Sequence, residues 1–191
     1  MAGHARYTAL LAACALFPVA VRDSPMSVAA TGLYAAKWTQ RIEDEWTRSL
    51  EAKTGKPQGS FVTRHDAMRD AVADWEVTEV AWSRLSTGLT LPDANDVHVL
   101  AAAIAGHADC IVTANLKDFP EDTLAPFGLQ AIHPDEFLIA QMDLDQLAVL
   151  AAFKAQRERL RNPVYTALAS QRHWSETGWC APRSDCVKRP N

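Results

Sequence analysis

Two hydrophobic patterns alternate along this chain: short continuous apolar runs, and longer stretches in which apolar residues recur every three or four positions. The continuous runs predict buried strands, and the helical spacing predicts amphipathic helices between them. Strands are expected over residues 8–16, 110–113 and 129–132. Helices are expected near residues 25–32, 40–52, 61–74, 97–104, 134–138 and 143–161. Short strands between helices are typical of a parallel α/β sandwich.

Particular residues define some of these boundaries. Ser24-Pro25 is a favourable pair for an N-cap and a first helical position, so a helix is predicted to begin at Pro25. Gly106 supplies a stop signal for the helix that begins at Val97. Residues 77–82 have no clear period and are interpreted as a short extended segment.

Composition indicates a globular protein. The chain has 191 residues, of which 48% are hydrophobic and 22% charged, so it fits one domain with an appendage. The net charge of -4 is unevenly distributed, because residues 151–191 carry +5 and the remainder carries -9. An acidic body is compatible with metal binding, and a basic tail is compatible with a polyanionic partner or with simple solvation. We predict a domain over residues 1–140, and a C-terminal helix with an irregular basic tail over residues 141–191.

The cysteines favour a reducing compartment. Cys14 and Cys110 lie in apolar runs, as buried cysteines do, and Cys180 and Cys186 lack the spacing of a zinc site. We therefore expect a cytoplasmic protein. Leu11-Ala12-Ala13-Cys14 also matches a lipoprotein cleavage pattern. The apolar stretch before it is short for a signal peptide, so a periplasmic lipoprotein acylated at Cys14 is the less favoured alternative.

Candidate ligands are densest between Leu91 and Pro120, in LPDANDVHVLAAAIAGHADCIVTANLKDFP. Asp93 and Asp96 lie at the start of a predicted helix, while Asn115 and Asp118 follow the next predicted strand. In an open α/β sheet, helix starts and the carboxyl ends of strands converge on one crevice. Oxygen ligands gathered there suit a hard divalent cation.

Most of these residues also have a structural interpretation. Asp93 is suited to the N-cap position of the helix and Asp96 to its N3 position. We favour the capping role for Asp93 and metal binding for Asp96. Asp118 is compatible with an ordinary turn. Thr113, an auxiliary candidate at the end of the strand, is expected to cap a backbone group more readily than to contact a ligand. His98 is expected at the surface.

The sequence PDANDVHVLAAAI, followed by IVTANLKDFP, resembles the PIN domain family and is close to the VapC-type toxin ribonucleases of prokaryotes. AACALFPVAVRDS, WTQRIEDEWTRSL and HPDEFL extend the resemblance, in the same order, over about residues 7–140. It implies a three-layer α/β/α sandwich with a central, mostly parallel sheet. It also implies Mg²⁺- or Mn²⁺-dependent cleavage of RNA, a cognate antitoxin that occupies the active site, and a homodimer.

The resemblance places the acidic site residues in separate segments of the chain. They are Glu45, Asp96 and Asp118, with Asp93 and Asn115 as auxiliary candidates. Helical geometry alone does not choose between Glu43 and Glu45, because they flank the apolar stripe of Ile42, Trp46 and Leu50 on opposite sides. The family pattern favours Glu45.

The first acid of the family pattern is missing. A motif like Leu-Asp-Ala-Cys falls on Leu11-Ala12-Ala13-Cys14, so Ala12 stands where an aspartate is expected. A methyl group cannot coordinate Mg²⁺, which requires oxygen ligands in near-octahedral geometry. We therefore predict a nuclease with impaired catalysis; the alternative is an inactive module that binds nucleic acid or an antitoxin. The alanine is compatible with a natural pseudo-enzyme, with deliberate inactivation and with tolerance of the loss.

Overall fold

The computed structural model describes residues 6–16 and 19–159. One sheet of parallel strands has the order β2-β1-β3-β4. The strands are β1 (Thr8–Leu11), β2 (Ala35–Lys37), β3 (Cys110–Val112) and β4 (Gln130–Ile132). The helices are α1 (Val19–Ala29), α2 (Gln40–Thr54), α3 (Val62–Ala71), α4 (Glu79–Ser86), α5 (Val97–Ala105), α6 (Glu121–Leu124), α7 (Pro134–Leu144) and α8 (Gln146–Arg159). Single 3₁₀ turns lie at Ala13–Ala15, Ala94–Asp96, Leu116–Asp118 and Ala125–Phe127.

The two central strands are covered on both faces. Successive side chains of a strand point to opposite faces, and Ala9, Leu10 and Leu11 of β1 are all fully buried, as is the whole of β3. Helices therefore cover both sides of the sheet, as parallel sheets require. This arrangement confirms the predicted three-layer α/β/α sandwich with a parallel sheet.

The strand predictions were incomplete at the N-terminal end. The first strand is shorter than residues 8–16, because the backbone turns into the 3₁₀ turn Ala13–Ala15 after Ala12 donates to the carbonyl of Val112 (3.1 Å). The edge strand β2 was not predicted. It consists of Ala35-Ala36-Lys37, which has no strand-forming side chain, and its pairing with β1 supplies the stability that its sequence does not.

One predicted helix start was wrong, and one segment predicted as extended is extended only at its beginning. Helix α1 begins at Val19, and Pro25 lies inside it instead of starting it. Packing of α1 against α8 outweighs the local signal of Ser24-Pro25, and Ser24 Oγ donates to Gln156 Oε1 of α8 (3.3 Å). Residues 77–82, which were ambiguous between a short extended piece and an edge element, begin extended: the Val77 N–H donates to the carbonyl of Trp38 (2.9 Å). The segment then enters α4, in which Trp82 is buried. Trp82 is the one buried residue of α4, and a single buried residue gives no helical period that can be recognised in the sequence.

Gly106 does end α5, but the reason is space. Its φ of -83° is open to any residue. A Cβ at this position would lie 2.8 Å from Cγ2 of Val77 and 3.0 Å from the carbonyl oxygen of Ala102. Glycine therefore allows the end of α5 to pack closely on the chain that leads into α4.

The C-terminal helix packs on the body of the domain. Val149 and Ala152 of α8 are buried, and α8 lies against α1 and α7. The predicted end of this helix near residue 161 and the basic tail lie outside the described residues. Within residues 6–16 and 19–159, no helix has the length and apolar content needed to cross a membrane.

A buried carboxylate joins α2 to α3. Glu43 of α2 is fully buried, and its Oε2 accepts hydrogen bonds from Nη2 (2.6 Å) and Nε (3.3 Å) of Arg69 on α3. His65 Nδ1 lies 3.6 Å from Glu43 Oε1, and the Arg69 guanidinium also stacks over Trp75. The hydrogen bond that Arg69 donates to the Glu43 carboxylate raises the pKa of Arg69, so this cation stays charged. The pair therefore fixes the flank of α2 that faces α3.

Replacing Arg69 with methionine is expected to lower the free energy of unfolding by about 3 kcal/mol, because a buried carboxylate then loses its cation. Urea denaturation measures the loss. Arg84→Met, at an exposed position of α4, is the matched control and should change stability by less than about 0.5 kcal/mol. Equal effects of the two variants would contradict the structural role of the Arg69–Glu43 pair.

Candidate active site

A cavity of about 380 Å³ lies at the carboxyl-terminal edge of the sheet, where β1 and β3 end and α5 begins. It is lined by residues from four separate segments: Ala12, Ala13, Cys14, Glu45, Trp46, Ser49, Asp96, Val99, Thr113, Asn115 and Phe119. This is the edge at which open α/β sheets bind their ligands. The cavity is therefore the candidate active site.

Three carboxylates cluster beside this cavity, and Asp96 is the one that lines it. Asp93, Asp96 and Asp118 each place an oxygen within 4.8 Å of the others. Asp93 and Asp96 come from the start of α5, and Asp118 comes from the loop after β3. The side-chain amide of Asn115 donates a hydrogen bond to Oδ2 of Asp118, which fixes the orientation of that carboxylate. The structure thus brings together four residues that lie up to 25 positions apart in sequence.

The aspartates at the helix start have different hydrogen-bond partners. Asp93 Oδ1 accepts a hydrogen bond from the backbone N–H of Asn95 (2.8 Å), so Asp93 caps the turn before α5. Asp96 occupies the N-cap position of α5, yet its side chain makes no capping hydrogen bond. The carboxylate of Asp96 therefore has no structural role in the helix that would compete with ligand binding.

The electrostatics of Asp96 favour a cation. Burial raises the pKa of Asp96 above its usual range, and the carboxylates of Asp93, Asp118 and Glu45 raise it further, against an opposing effect of His98. Like charges held this close destabilise the ionised form of Asp96. A divalent cation among these oxygens would relieve the repulsion, and hard cations prefer carboxylate and amide oxygens. The residues present therefore fit a Mg²⁺- or Mn²⁺-binding site.

Helical periodicity did not choose between Glu43 and Glu45, but the structure places them in different surroundings. Glu43 is fully buried and paired with Arg69, on the side of α2 that faces α3. Glu45 lines the cavity, and its side chain is 26% exposed. Of the two, Glu45 is therefore the residue able to act at the site.

Two basic residues contact Glu45. Arg41 Nε lies 3.2 Å and His98 Nε2 lies 3.1 Å from the same oxygen, Oε1. Burial alone would raise the pKa of Glu45, but the contacts with His98 and Arg41 outweigh it and the pKa lies below its usual value. Glu45 is therefore held in its anionic form, as a metal ligand requires.

The expectation that His98 lies at the surface was wrong, since only 3% of the residue is exposed. A signal for this was present in the sequence. Helix α5 reads VHVLAAAIA, and a helix that is apolar on every side is buried in the core. A histidine in such a helix is expected to be buried as well, and to need a polar partner.

Ala12 lies in the cavity wall. It is 4% exposed and lines the same space as Glu45 and Asp96. The Ala12 N–H donates to the carbonyl of Val112, so Ala12 continues the pairing of β1 with β3. This pairing fixes the position of the Ala12 side chain at the end of the strand. A carboxylate at residue 12 would join the oxygens of Glu45 and Asp96 at one cavity, whereas the methyl group contributes no ligand.

Thr113 and Cys14 fix the loop that carries Asn115. The buried Thr113 hydroxyl accepts a hydrogen bond from the Asn115 N–H (3.1 Å) and lies 3.1 Å from Cys14 Sγ. Cys14 Sγ also accepts from the N–H of Ala114 (3.3 Å). Cys14 and Cys110 are both free thiols. The backbone-capping interpretation of Thr113 therefore describes its contacts, although the residue also lines the cavity.

Known protein families match two parts of this chain. The PIN domain family matches residues 9–117, which include every residue that lines the cavity except Phe119. Asp118 also lies just beyond the match. The VapC50 C-terminal domain family matches residues 134–169. The chain is also similar to the protein named "Putative ribonuclease VapC50" of Mycobacterium tuberculosis, with 45% identity over 71 residues. That alignment covers 37% of this chain and 42% of the relative.

Proposed function

Since the chain belongs to the PIN domain family, we propose that it is a Mg²⁺- or Mn²⁺-dependent endoribonuclease whose catalysis is impaired by Ala12. The convergence of Glu45, Asp96 and Asp118 on one region of the sheet edge carries the proposal. The similarity to a protein named as a ribonuclease supports RNA as the substrate. The proposal includes a cognate antitoxin as partner, a homodimer, and action in the cytoplasm.

The proposed nuclease domain covers residues 1–140, and residues 141–191 form the proposed C-terminal helix and basic tail. The sheet and all the candidate site residues lie within the first range. The second range begins in α7, close to where the match to the VapC50 C-terminal domain starts.

Asp96 and Asp118 are the proposed metal ligands, and Glu45 is a further ligand or positions the attacking water. Asp93, Asn115 and Thr113 are auxiliary, because they hold the turn before α5 and the loop after β3. When bound, a divalent cation lowers the pKa of a coordinated water and offsets negative charge on the phosphate. The protein residues hold oxygens of separate segments in one place, so that the phosphodiester and the water meet in a fixed orientation.

A second candidate function is binding without cleavage. The observation that favours it is Ala12, which removes a carboxylate from the wall of the cavity. Such a module would bind RNA or an antitoxin through the same surface. With Ala12 in place, it would not cut RNA at any Mn²⁺ concentration.

Removal of metal distinguishes the two functions. In the parent chain, we expect Mn²⁺ to support slow internal cleavage of single-stranded RNA, EDTA to abolish it, and renewed Mn²⁺ to restore it. Gel analysis of an RNA labelled at its end reports internal cuts. RNA binding without cleavage at any Mn²⁺ concentration would instead support the binding module. Cleavage that persists in EDTA would refute the metal dependence.

A further inference from the structure

We propose that His98 is a positioning residue, which holds the Glu45 carboxylate in the orientation needed for divalent-cation binding. The inference rests on the proposed metal-dependent function. His98 does not line the cavity, so its effect would be transmitted through Glu45 and not through contact with RNA or metal.

The first support is the contact between the two side chains. His98 Nε2 lies 3.1 Å from Glu45 Oε1, and Arg41 Nε lies 3.2 Å from the same oxygen. The His98 contact is close but does not meet the geometry of a hydrogen bond. Both contacts go to Oε1, so the other carboxylate oxygen has no partner among the described residues and is available to a ligand.

The second support is the difference between the two basic residues. The Arg41 side chain is 47% exposed, so its attraction to Glu45 is weakened by water. The His98 side chain is 2% exposed, and polar contacts are stronger where water is excluded. Arg41 therefore donates its hydrogen bond to Glu45 from an exposed position, whereas His98 contacts the same oxygen from a buried one.

The third support is the packing of His98 itself. Its ring lies 6.0 Å from the ring of Trp82 on α4, at an angle of 54°. Neither ring nitrogen of His98 has a hydrogen-bond partner in the described part of the chain, and the close polar contact of the ring there is with Glu45 Oε1. A buried imidazole without any polar contact is costly. The contact with Glu45 therefore accounts for a histidine at this buried position, and Trp82 of α4 packs against the same ring.

Carboxylates that bind metals are commonly oriented by a second residue, and loss of that residue lowers metal affinity about tenfold or more. His98→Leu fills the same space with an apolar side chain and removes Nε2, the nitrogen that contacts Glu45. We expect this variant to bind Mn²⁺ about tenfold more weakly than the parent chain. His98→Gln, whose amide nitrogen can reach a similar position, should stay within about threefold of the parent.

A double-mutant cycle separates positioning from a general structural effect. In a Glu45→Gln background, His98→Leu should change Mn²⁺ affinity by less than about twofold, because the carboxylate that it orients is gone. Electron paramagnetic resonance of free Mn²⁺ measures affinity without requiring RNA cleavage. Equal Mn²⁺ affinity of the parent and His98→Leu would overturn the inference and leave the proposed function intact. Absence of Mn²⁺ binding by the parent would refute both.

A second measurement covers the case in which His98→Leu does not fold. The ring ¹⁵N signals of His98 should shift in Glu45→Gln, whereas those of the exposed His107 should not. Unchanged His98 signals would show that the contact does not exist in solution, and would overturn the inference without any change at residue 98.

Discussion

Restoring an aspartate at residue 12 should raise Mn²⁺-dependent RNA cleavage about a hundredfold or more. Ala12 lies in the cavity wall beside Glu45 and Asp96, where a carboxylate would add an oxygen ligand to the cation. A metal contributes several kcal/mol to stabilisation of a transition state, and each 1.4 kcal/mol changes a rate about tenfold. Initial rates of cleavage of a single-stranded RNA, measured for the parent and Ala12→Asp at equal Mn²⁺, give the ratio.

Ala30→Asp is the matched control for this experiment, because it adds the same charge at an exposed position outside the cavity. Its cleavage rate should equal that of the parent. If the parent and Ala12→Asp are both folded and cleave at equal rates, residue 12 is not the position of a lost metal ligand.

The second large effect concerns the remaining acids. In the Ala12→Asp background, Asp96→Asn or Asp118→Asn should lower the cleavage rate at least about a hundredfold. Each change replaces one of three clustered carboxylates with a neutral amide of the same shape. Removing a charge from an electrostatic site of this kind typically costs two to three orders of magnitude in kcat, or about 3–4 kcal/mol. Single-turnover cleavage assays separate this loss from weaker RNA binding.

Asp122→Asn is the control, since Asp122 is an exposed aspartate of α6 that does not line the cavity. In the Ala12→Asp background, Asp122→Asn should cleave RNA at the same rate as Ala12→Asp alone. The fold of Asp96→Asn is expected to be intact, because the Asp96 side chain makes no capping hydrogen bond. Undiminished cleavage by a folded Asp96→Asn protein would remove Asp96 from the proposed mechanism.

The sequence predicted those features of the fold that depend on local patterns. The stripe of Ile42, Trp46 and Leu50 predicted the buried face of α2, and all three residues are buried. The apolar run at residues 110–113 predicted β3. Both patterns can be recognised because burial on one face or on both imposes a period on the chain itself.

Features that depend on distant contacts could not be predicted. The edge strand β2 exists because β1 pairs with it, and the burial of Trp82 in α4 depends on α5. The choice between Glu43 and Glu45 depended on α3, which supplies Arg69 to Glu43 and leaves Glu45 at the cavity. In each case the deciding partner lies far away in sequence, where a periodic pattern carries no information.

The central claim is that carboxylates from separate segments hold one divalent cation at the edge of this sheet. Titration of the parent chain with Mn²⁺, followed by electron paramagnetic resonance, tests it most directly. We expect one bound Mn²⁺ per chain, lost in Asp96→Asn and in Asp118→Asn and retained in Asp122→Asn. Binding that is equal in all four proteins, or no binding by the parent, would contradict it.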